Sequence, residues 1–153
     1  MVLMIYDIPP VDFNPIRVAE CFIEYGNQVL FLRRSHNVPH PGVWALPGGK
    51  LMEHETAEQA VCREVLEECS FVLIEPHYSH TDYIRYPEYD YTCYVFRKML
   101  KDRPNIKIDL RESDNYAWLT MAQVKELDEK NELIVDEMSC IERVYKTSEF
   151  GGV

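Results

Sequence analysis

The chain of 153 residues, 46% hydrophobic and 27% charged, is long enough to bury a sizeable core and is read as one globular domain over 1–153. Its net charge of −10 argues against a nucleic-acid polymer as partner, yet leaves room for a phosphate ligand, because a divalent cation can sit between carboxylates and phosphates. No apolar run approaches about 18 residues, so no membrane partner is expected, and the opening MVLMIYDIPP lacks the basic region and cleavage site of a signal peptide.

In chain order, RVAECFIEYGNQVLFLRR predicts two strands, about residues 17–24 and 28–33, around a tight turn at Gly26-Asn27. SHNVPHPGVW reads as a loop, and VWALPGG as a short strand ending in a Pro-Gly-Gly break. TAEQ is a capping-box pattern with Thr56 as N-cap, and it opens the clearest helix in the chain. Ala57, Ala60, Val61 and Val65, with Leu66 or Cys69, supply its apolar stripe, and Arg63, Glu64, Glu67 and Glu68 its other side. FVLIEP predicts a strand, and HYSHTDYIRYPEYDYTCYVFRKML a long hairpin with its turn in RYPEYD. NIKIDL reads as a strand or extended segment, NYAWLT as a short strand, and helices follow from near Met121 and within ELIVDEMSCIERVYK. The tail TSEFGGV is expected to fray. The sum is an α/β or α+β domain, a mixed sheet sandwiched between helices.

REVLEE sets Glu64, Glu67 and Glu68 at i, i+3 and i+4, so the three acids share one helix face. Like charges at that spacing cost roughly 0.2–0.5 kcal/mol per pair in an isolated helix. Hard cations such as Mg²⁺ and Mn²⁺ take carboxylate and carbonyl oxygens, so a bound ion turns this repulsion into shared coordination. A glycine turn before the helix lets backbone come close to a ligand, because there is no Cβ in the way. Bound ions can bridge substrate phosphates, and a remaining carboxylate can deprotonate a water.

Reading outward, Gly49-x5-Glu55-x7-Arg63-Glu64-Val65-x-Glu67-Glu68-x-Ser70-Phe71 resembles the Nudix box, with Ser70 where that family has glycine. GVWALPGGK and SDNYAWLTMAQVKEL resemble the family's lead-in and closing elements, and the resemblance covers roughly residues 17–145. It implies a Nudix-type, MutT-like fold and metal-dependent hydrolysis of a phosphoanhydride in a nucleoside diphosphate linked to another group. The substrate would be a nucleoside triphosphate or oxidised nucleotide, with sugar nucleotides next, and the product a nucleoside monophosphate. The alternative is a Nudix-fold module that binds a nucleotide or sugar nucleotide without cleaving it.

By the same resemblance, Glu64, Glu67, Glu68 and the Gly48 carbonyl are the expected ligands of Mg²⁺ or Mn²⁺. Glu64 is, or assists, the general base. Arg63 orients Glu64 or a nearby acid, Glu67 joins these two in the catalytic set, and Glu55 acts from outside the metal shell. The family's downstream acid is assigned to Glu112, with Asp114 as the other candidate. Gly49, Lys50 and Arg33 are expected at the substrate. A left-handed helix end suits glycine, so Ser70 is expected to cost about 1 kcal/mol there. His54 stands where many members have glycine, which bears on the loop and not on the acids.

Outside the box the expectations are plainer. Five cysteines with no C-x-x-C read as reduced thiols of a cytoplasmic protein, and the histidines show no helical pair that would bind zinc. Tyr78, Tyr83, Tyr86, Tyr89, Tyr91 and Tyr94 read as faces of the hairpin, with one or two rings available to stack on a base. A homodimer is left open.

Overall fold

The structure, a computed structural model, describes residues 3–135 and 137–145. Its elements are β1 (Met4–Tyr6), β2 (Pro15–Tyr25), β3 (Gln28–Arg34), β4 (Trp44–Ala45), β5 (Gly48–Lys50), α1 (Ala57–Cys69), β6 (His77–Arg85), β7 (Asp90–Leu100), β8 (Ser113–Leu119), α2 (Met121–Glu129) and α3 (Glu137–Val144). No helix among the described residues is long and apolar enough to cross a membrane.

The strands run β1-β6-β7-β2-β3-β4, with β5 added on β2 and β8 on β3. β2 and β7 pair in parallel from Pro15↔Asp90 to Tyr25↔Leu100, and the other pairings are antiparallel, so the sheet is mixed. β2 and β3 pair only beside their turn, at Glu24↔Val29 and Tyr25↔Gln28. They then part: β2 takes β5 at Val18–Glu20, and β3 takes β8. Side chains alternate across β2, as strand geometry requires. Ala19, Cys21 and Ile23 pack against Ala60, Val61, Val65 and Cys69 of α1. Phe22, on the opposite face, packs with Val124 of α2 and Cys140 and Ile141 of α3. Helices therefore cover both faces of an α+β domain.

α1 starts where its capping box places it. The Thr56 hydroxyl accepts from the Gln59 N–H and the Gln59 side chain accepts from the Thr56 N–H. Cys69, not the half-exposed Leu66, completes its buried stripe.

Two local expectations change, at 71–76 and at Pro-Gly-Gly; residues 105–110 take the extended of their two alternatives, and the opening adds a strand. Residues 71–76 form no strand: Val72 and Ile74 point into solvent at 64% and 61% exposure, with no neighbouring strand to pair with. Residues 105–110 form none either. Their N–H groups go to the end of α1 instead, Lys107 to the Cys69 carbonyl at 3.0 Å and Asp109 to the Glu68 carbonyl at 3.2 Å. They thus satisfy carbonyls that a helix leaves open at its C-terminus. The Pro-Gly-Gly segment is no break, since Gly48–Lys50 is β5, hydrogen-bonded along β2. The apolar opening contributes β1, which pairs with β6 at the sheet edge. Of the tail TSEFGGV, every residue lies outside the described ones.

Candidate functional site

β5 and the outward face of α1 bring the box residues together. An added Cβ on Gly48 would stand 2.2 Å from the Ala19 carbonyl oxygen and 2.7 Å from the Glu20 Cα. On Gly49 it would stand 2.5 Å from the Glu64 Cδ. Real Cβ atoms do not approach so closely, so glycine at 48 admits β5 against β2, and glycine at 49 admits the Glu64 carboxylate against β5. The Gly48 N–H donates to Glu68 Oε1 at 2.8 Å.

Arg63 is the hub of this cluster. Its Nε and one terminal nitrogen hold the two oxygens of Glu55 at 2.7 and 2.9 Å. The other terminal nitrogen donates to Glu64 Oε1 at 2.9 Å and more loosely to Glu67 at 3.4 Å. A further N–H reaches the Lys50 carbonyl at 3.1 Å and ties the helix to β5. Glu55 also accepts the Met52 N–H, and the hydrogen bonds from Arg63 and Met52 hold its carboxyl down to about 2. Burial acts the other way on α1, raising Glu64 despite Arg63 and raising Glu68 well above the ordinary carboxylate range. The charge of Glu112 adds to both, while Arg34 and the Gly48 N–H favour ionised Glu68. Two half-buried acids with this environment hold more negative charge than their surroundings balance, which suits a cation.

The three acids of REVLEE therefore share a face but not an environment. The Glu64 side chain is 15% exposed and that of Glu67 54%. Among the described residues, the groups whose donor atoms all lie within 4.8 Å of one another are Glu20–Glu137–Cys140 and His80–Asp82–Cys140. The box acids do not converge so closely, because Arg63 stands between Glu64 and Glu67. Glu112 is held in its loop, its carbonyl accepting from the Ser35 N–H. Asp114, the other downstream candidate, is taken by Arg33 at 2.7 Å.

Arg33 and Arg34 are neighbours at the end of β3, where the pairing with β8 shifts register between them. Arg33 pairs with Asp114 and lies over the Trp44 ring. Arg34 lines a cleft of about 570 Å³ on the α3 side of the sheet. Gly48 and Gly49 form part of the same wall, so β5 separates this cleft from the acids of α1 and touches both. Tyr86, Tyr89 and Tyr91 line it too, with ring centroids 5.1–5.6 Å apart. Half of the tyrosine cluster thus faces the cleft. Lys50 is exposed at the end of β5. All five cysteines are free, and four are buried.

Glu20 and Glu137, which also line the cleft, escaped the reading of the sequence. They lie 117 positions apart and belong to no motif; the one available signal was the pair of acids Glu20 and Glu24 on one face of a strand rich in apolar residues.

Residues 15–138 match the NUDIX domain family. The chain is 33% identical over 88 residues to the 8-oxo-dGTP diphosphatase of Buchnera aphidicola subsp. Acyrthosiphon pisum, covering 56% of this chain and 67% of that one. It is 39% identical over 59 residues to the ADP-ribose pyrophosphatase of Methanocaldococcus jannaschii, covering 39% of this chain and about a third, 34%, of the relative. The fold matches the crystal structure of the MutT protein from Methanosarcina mazei Go1 with a TM-score of 0.63 at 23% identity, over 80% of this chain and 99% of that one. The box, the fold around it and the extent of the family match make this chain a member of the NUDIX family, a MutT-like Nudix pyrophosphohydrolase.

Proposed function

We propose that the protein hydrolyses a nucleoside triphosphate, or an oxidised form of one, and releases the nucleoside monophosphate and pyrophosphate. The observation that carries this reading is the shared β5 wall. A cleft of about 570 Å³ with three tyrosines adjoins the acids of α1 through Gly48 and Gly49. That volume lies in the range of small-molecule sites. The match to the 8-oxo-dGTP diphosphatase supports the substrate class, since it spans 67% of that relative, whereas the match to the ADP-ribose pyrophosphatase spans 34% of its own.

In this reading Glu64, Glu67 and Glu68, with Glu112 and the Gly48 carbonyl, would hold Mg²⁺ or Mn²⁺; the donors are all hard oxygens, as these ions require. A cation held there would supply positive charge for the phosphate oxygens during attack of water on phosphorus. Glu64 takes the proton of that water. Arg63 holds Glu64 against Gly49 and leaves its second oxygen out of the pair, and Glu55 fixes Arg63 from behind. Lys50 and Arg34 offer positive charge to phosphate oxygens; Arg33 does so by leaving Asp114. Free cysteines suit a reducing cytoplasm.

The test is turnover of a panel of nucleoside triphosphates, 8-oxo-dGTP, ADP-ribose and GDP-mannose with Mg²⁺ or Mn²⁺, reading monophosphate and pyrophosphate by chromatography. Triphosphates should be cut and yield both products. Cleavage confined to ADP-ribose or GDP-mannose, or tight nucleotide binding with no cleavage over hours, would overturn the reading.

A further inference from the structure

Away from the acids of α1, strand β6 and helix α3 bring together a nitrogen, an oxygen and a sulfur donor. His80 and Asp82 stand two apart on β6, opposite Val95 and Cys93 of β7, so both project from the same face of the sheet. Val95, Cys93 and Ile84 of that face pack with Cys140 and Ile141 of α3. Cys140 lies about one turn before Arg143, whose Nε stands 2.7 Å from Asp82 Oδ1. The donor atoms of His80, Asp82 and Cys140 all lie within 4.8 Å of one another. A tetrahedral zinc ion binds such atoms at about 2.0–2.3 Å and so spaces them by roughly 3.3–3.8 Å. Small side-chain adjustments bring this set to that spacing.

The imidazole is already held as a ligand would be. Its Nδ1 lies 3.1 Å from the Ser79 hydroxyl and its Nε2 3.0 Å from Asp82 Oδ2. A proton or a metal ion must lie between Nε2 and that oxygen, and Ser79 serves either case. Its hydroxyl donates to a bare Nδ1 in the first and accepts from Nδ1–H in the second, the outer contact that metal-bound histidines have. Asp82 is 1% exposed, and its Oδ1 accepts no well-aligned hydrogen bond despite the guanidinium beside it. The His80 side chain is 21% exposed, which gives an ion a way in and a water the fourth position.

We propose that His80, Asp82 and Cys140 bind a divalent ion of the zinc class, which fastens α3 to β6. The donors decide the class: sulfur and imidazole suit zinc or cobalt, whereas Mg²⁺ and Ca²⁺ take oxygen ligands. Burial and the neighbouring acids keep the Cys140 thiol protonated without an ion. Binding therefore forms a sulfur–metal bond, expels the thiol proton to solvent and leaves the imidazole proton on Nδ1. The thiolate and Asp82 then match the two charges of the ion, while Arg143 keeps Asp7. The same helix begins at Glu137, which lines the cleft and accepts the Leu46 N–H at 3.0 Å. An ion that ties Cys140 to β6 thus stiffens one wall of the cleft.

The test is Co²⁺ absorption on the full chain after treatment with a chelator. Cobalt bound by a thiolate gives a sulfur-to-metal charge-transfer band in the near ultraviolet, which the oxygen ligands of α1 cannot give. The band should saturate at one Co²⁺ per chain, with or without excess Mg²⁺, and Zn²⁺ should remove it. Cys140→Ser should abolish the band, and Cys62→Ser, at the one cysteine that is not buried, should leave it. Changes to outer contacts of a metal site cost about tenfold to a hundredfold in affinity, so loss of a ligand in His80→Gln should cost at least about a hundredfold. Zn²⁺ should raise the melting temperature of the natural protein and not that of Cys140→Ser. If Cys140→Ser fails to fold, His80→Gln, at a partly exposed position, decides. Absence of the band in the natural protein overturns the proposal. So does a band that survives Cys140→Ser, keeps its full affinity in His80→Gln or is displaced by Mg²⁺.

Discussion

On the α1 side of the sheet one guanidinium serves three carboxylates, Glu55, Glu64 and Glu67. On the α3 side two buried acids, Glu24 and Asp82, each have cations of their own. Glu24 has Arg97 at 2.8 Å and the Tyr145 hydroxyl, and Asp82 has His80 at 3.0 Å and Arg143 at 2.7 Å. One oxygen of Asp82 has no well-aligned hydrogen bond, but the Arg143 charge beside it offsets burial. The first arrangement leaves a surplus of negative charge around Glu64 and Glu68, open to a cation. The second leaves little, and it holds α3 onto the sheet. The ratio of acids to cations thus separates the cluster on α1 from the pairs of Glu24 and Asp82.

The largest effect expected from this contrast comes from removing one cation on each side. Arg97→Met strands Glu24, whose side chain is 2% exposed, and should cost about 3–5 kcal/mol of unfolding free energy. Arg63→Met acts on a cluster that still reaches solvent, so its stability cost should stay near about 1 kcal/mol. Turnover should fall about a hundredfold instead, as Glu64 loses its placement. Urea unfolding and steady-state kinetics on both variants read the two quantities. If Arg97→Met unfolded like the natural protein, the structural role of the α3-side pairs would be lost.

Removing acids should separate function from stability on the α1 side. Glu68→Gln and Glu67→Gln each take a charged oxygen from the proposed metal shell, and turnover and Mg²⁺ affinity should drop by about a hundredfold or more, at least as much as for outer-shell changes. Without metal, each should melt no lower than the natural protein, with a gain of about a few tenths of a kcal/mol per repulsive pair removed. For Glu68→Gln the gain should depend on pH. Burial raises the Glu68 carboxyl, so folding disfavours its ionised form. Protonation removes that cost at low pH; it builds as pH rises above 4.5 and is complete above the elevated value. The variant's advantage should therefore be present near neutral pH and vanish below the usual carboxylate value of 4.5. Glu55 has the opposite sign: its carboxyl is held at about 2, so its contribution is complete above 4.5 and is lost progressively as pH falls from there through about 2. Melting curves from pH 3 to 8 distinguish these slopes, and an advantage of Glu68→Gln that grew toward low pH would contradict the burial argument.

Gly49→Ala comes next in size. Its Cβ would meet the Glu64 carboxylate at 2.5 Å, so Glu64 must move. We expect about 1–3 kcal/mol of destabilisation from overpacking, and a loss of about tenfold to a hundredfold in turnover from the misplaced carboxylate. A variant with normal kinetics would mean that Glu64 works from another position.

These effects fall on residues of unequal legibility. The helix was legible because Thr56 and Gln59 form a capping box and the apolar residues repeat at helical spacing, both local signals. The box acids were legible as a set, but not their division into a half-buried pair and an exposed third, which depends on where β5 lies. Residues 71–76 and 105–110 have strand-like alternation and still form no strand. Pairing needs a neighbour: the first segment has none, and the second bonds to the end of α1. Gly48-Gly49 read as a break because glycine is rare in strands, yet here the absence of a side chain is what lets a strand fit against Ala19 and Glu20. The cleft was the least legible part, since it joins β2, the hairpin turn and α3, and alternation along each strand says nothing about which of them meet.

The smallest effect tests how firmly α1 is held at its far end, beyond Glu68. Ser70 caps the helix in the left-handed region at φ 55°, ψ 31°, and its N–H donates to the Leu66 carbonyl. A β-carbon there costs roughly 1–2 kcal/mol, which a glycine would not incur. The Ser70 hydroxyl offsets part of that by donating to the Lys107 carbonyl at 3.0 Å, a bond worth about 0.5–1.5 kcal/mol. The two terms nearly cancel in Ser70→Gly, which should lie within about 0.5 kcal/mol of the natural protein. Ser70→Ala keeps the strained β-carbon and loses the bond, so it should be less stable than Ser70→Gly by about 1 kcal/mol. Turnover should be the same in both, because the carbonyls of Glu68 and Cys69 keep their bonds to the 105–110 segment without the hydroxyl. Urea unfolding of the two variants measures the difference. Equal stabilities would mean that the left-handed cap carries no strain, and a loss of turnover in Ser70→Gly would mean that the hydroxyl, and not those backbone bonds, holds the end of α1 in place.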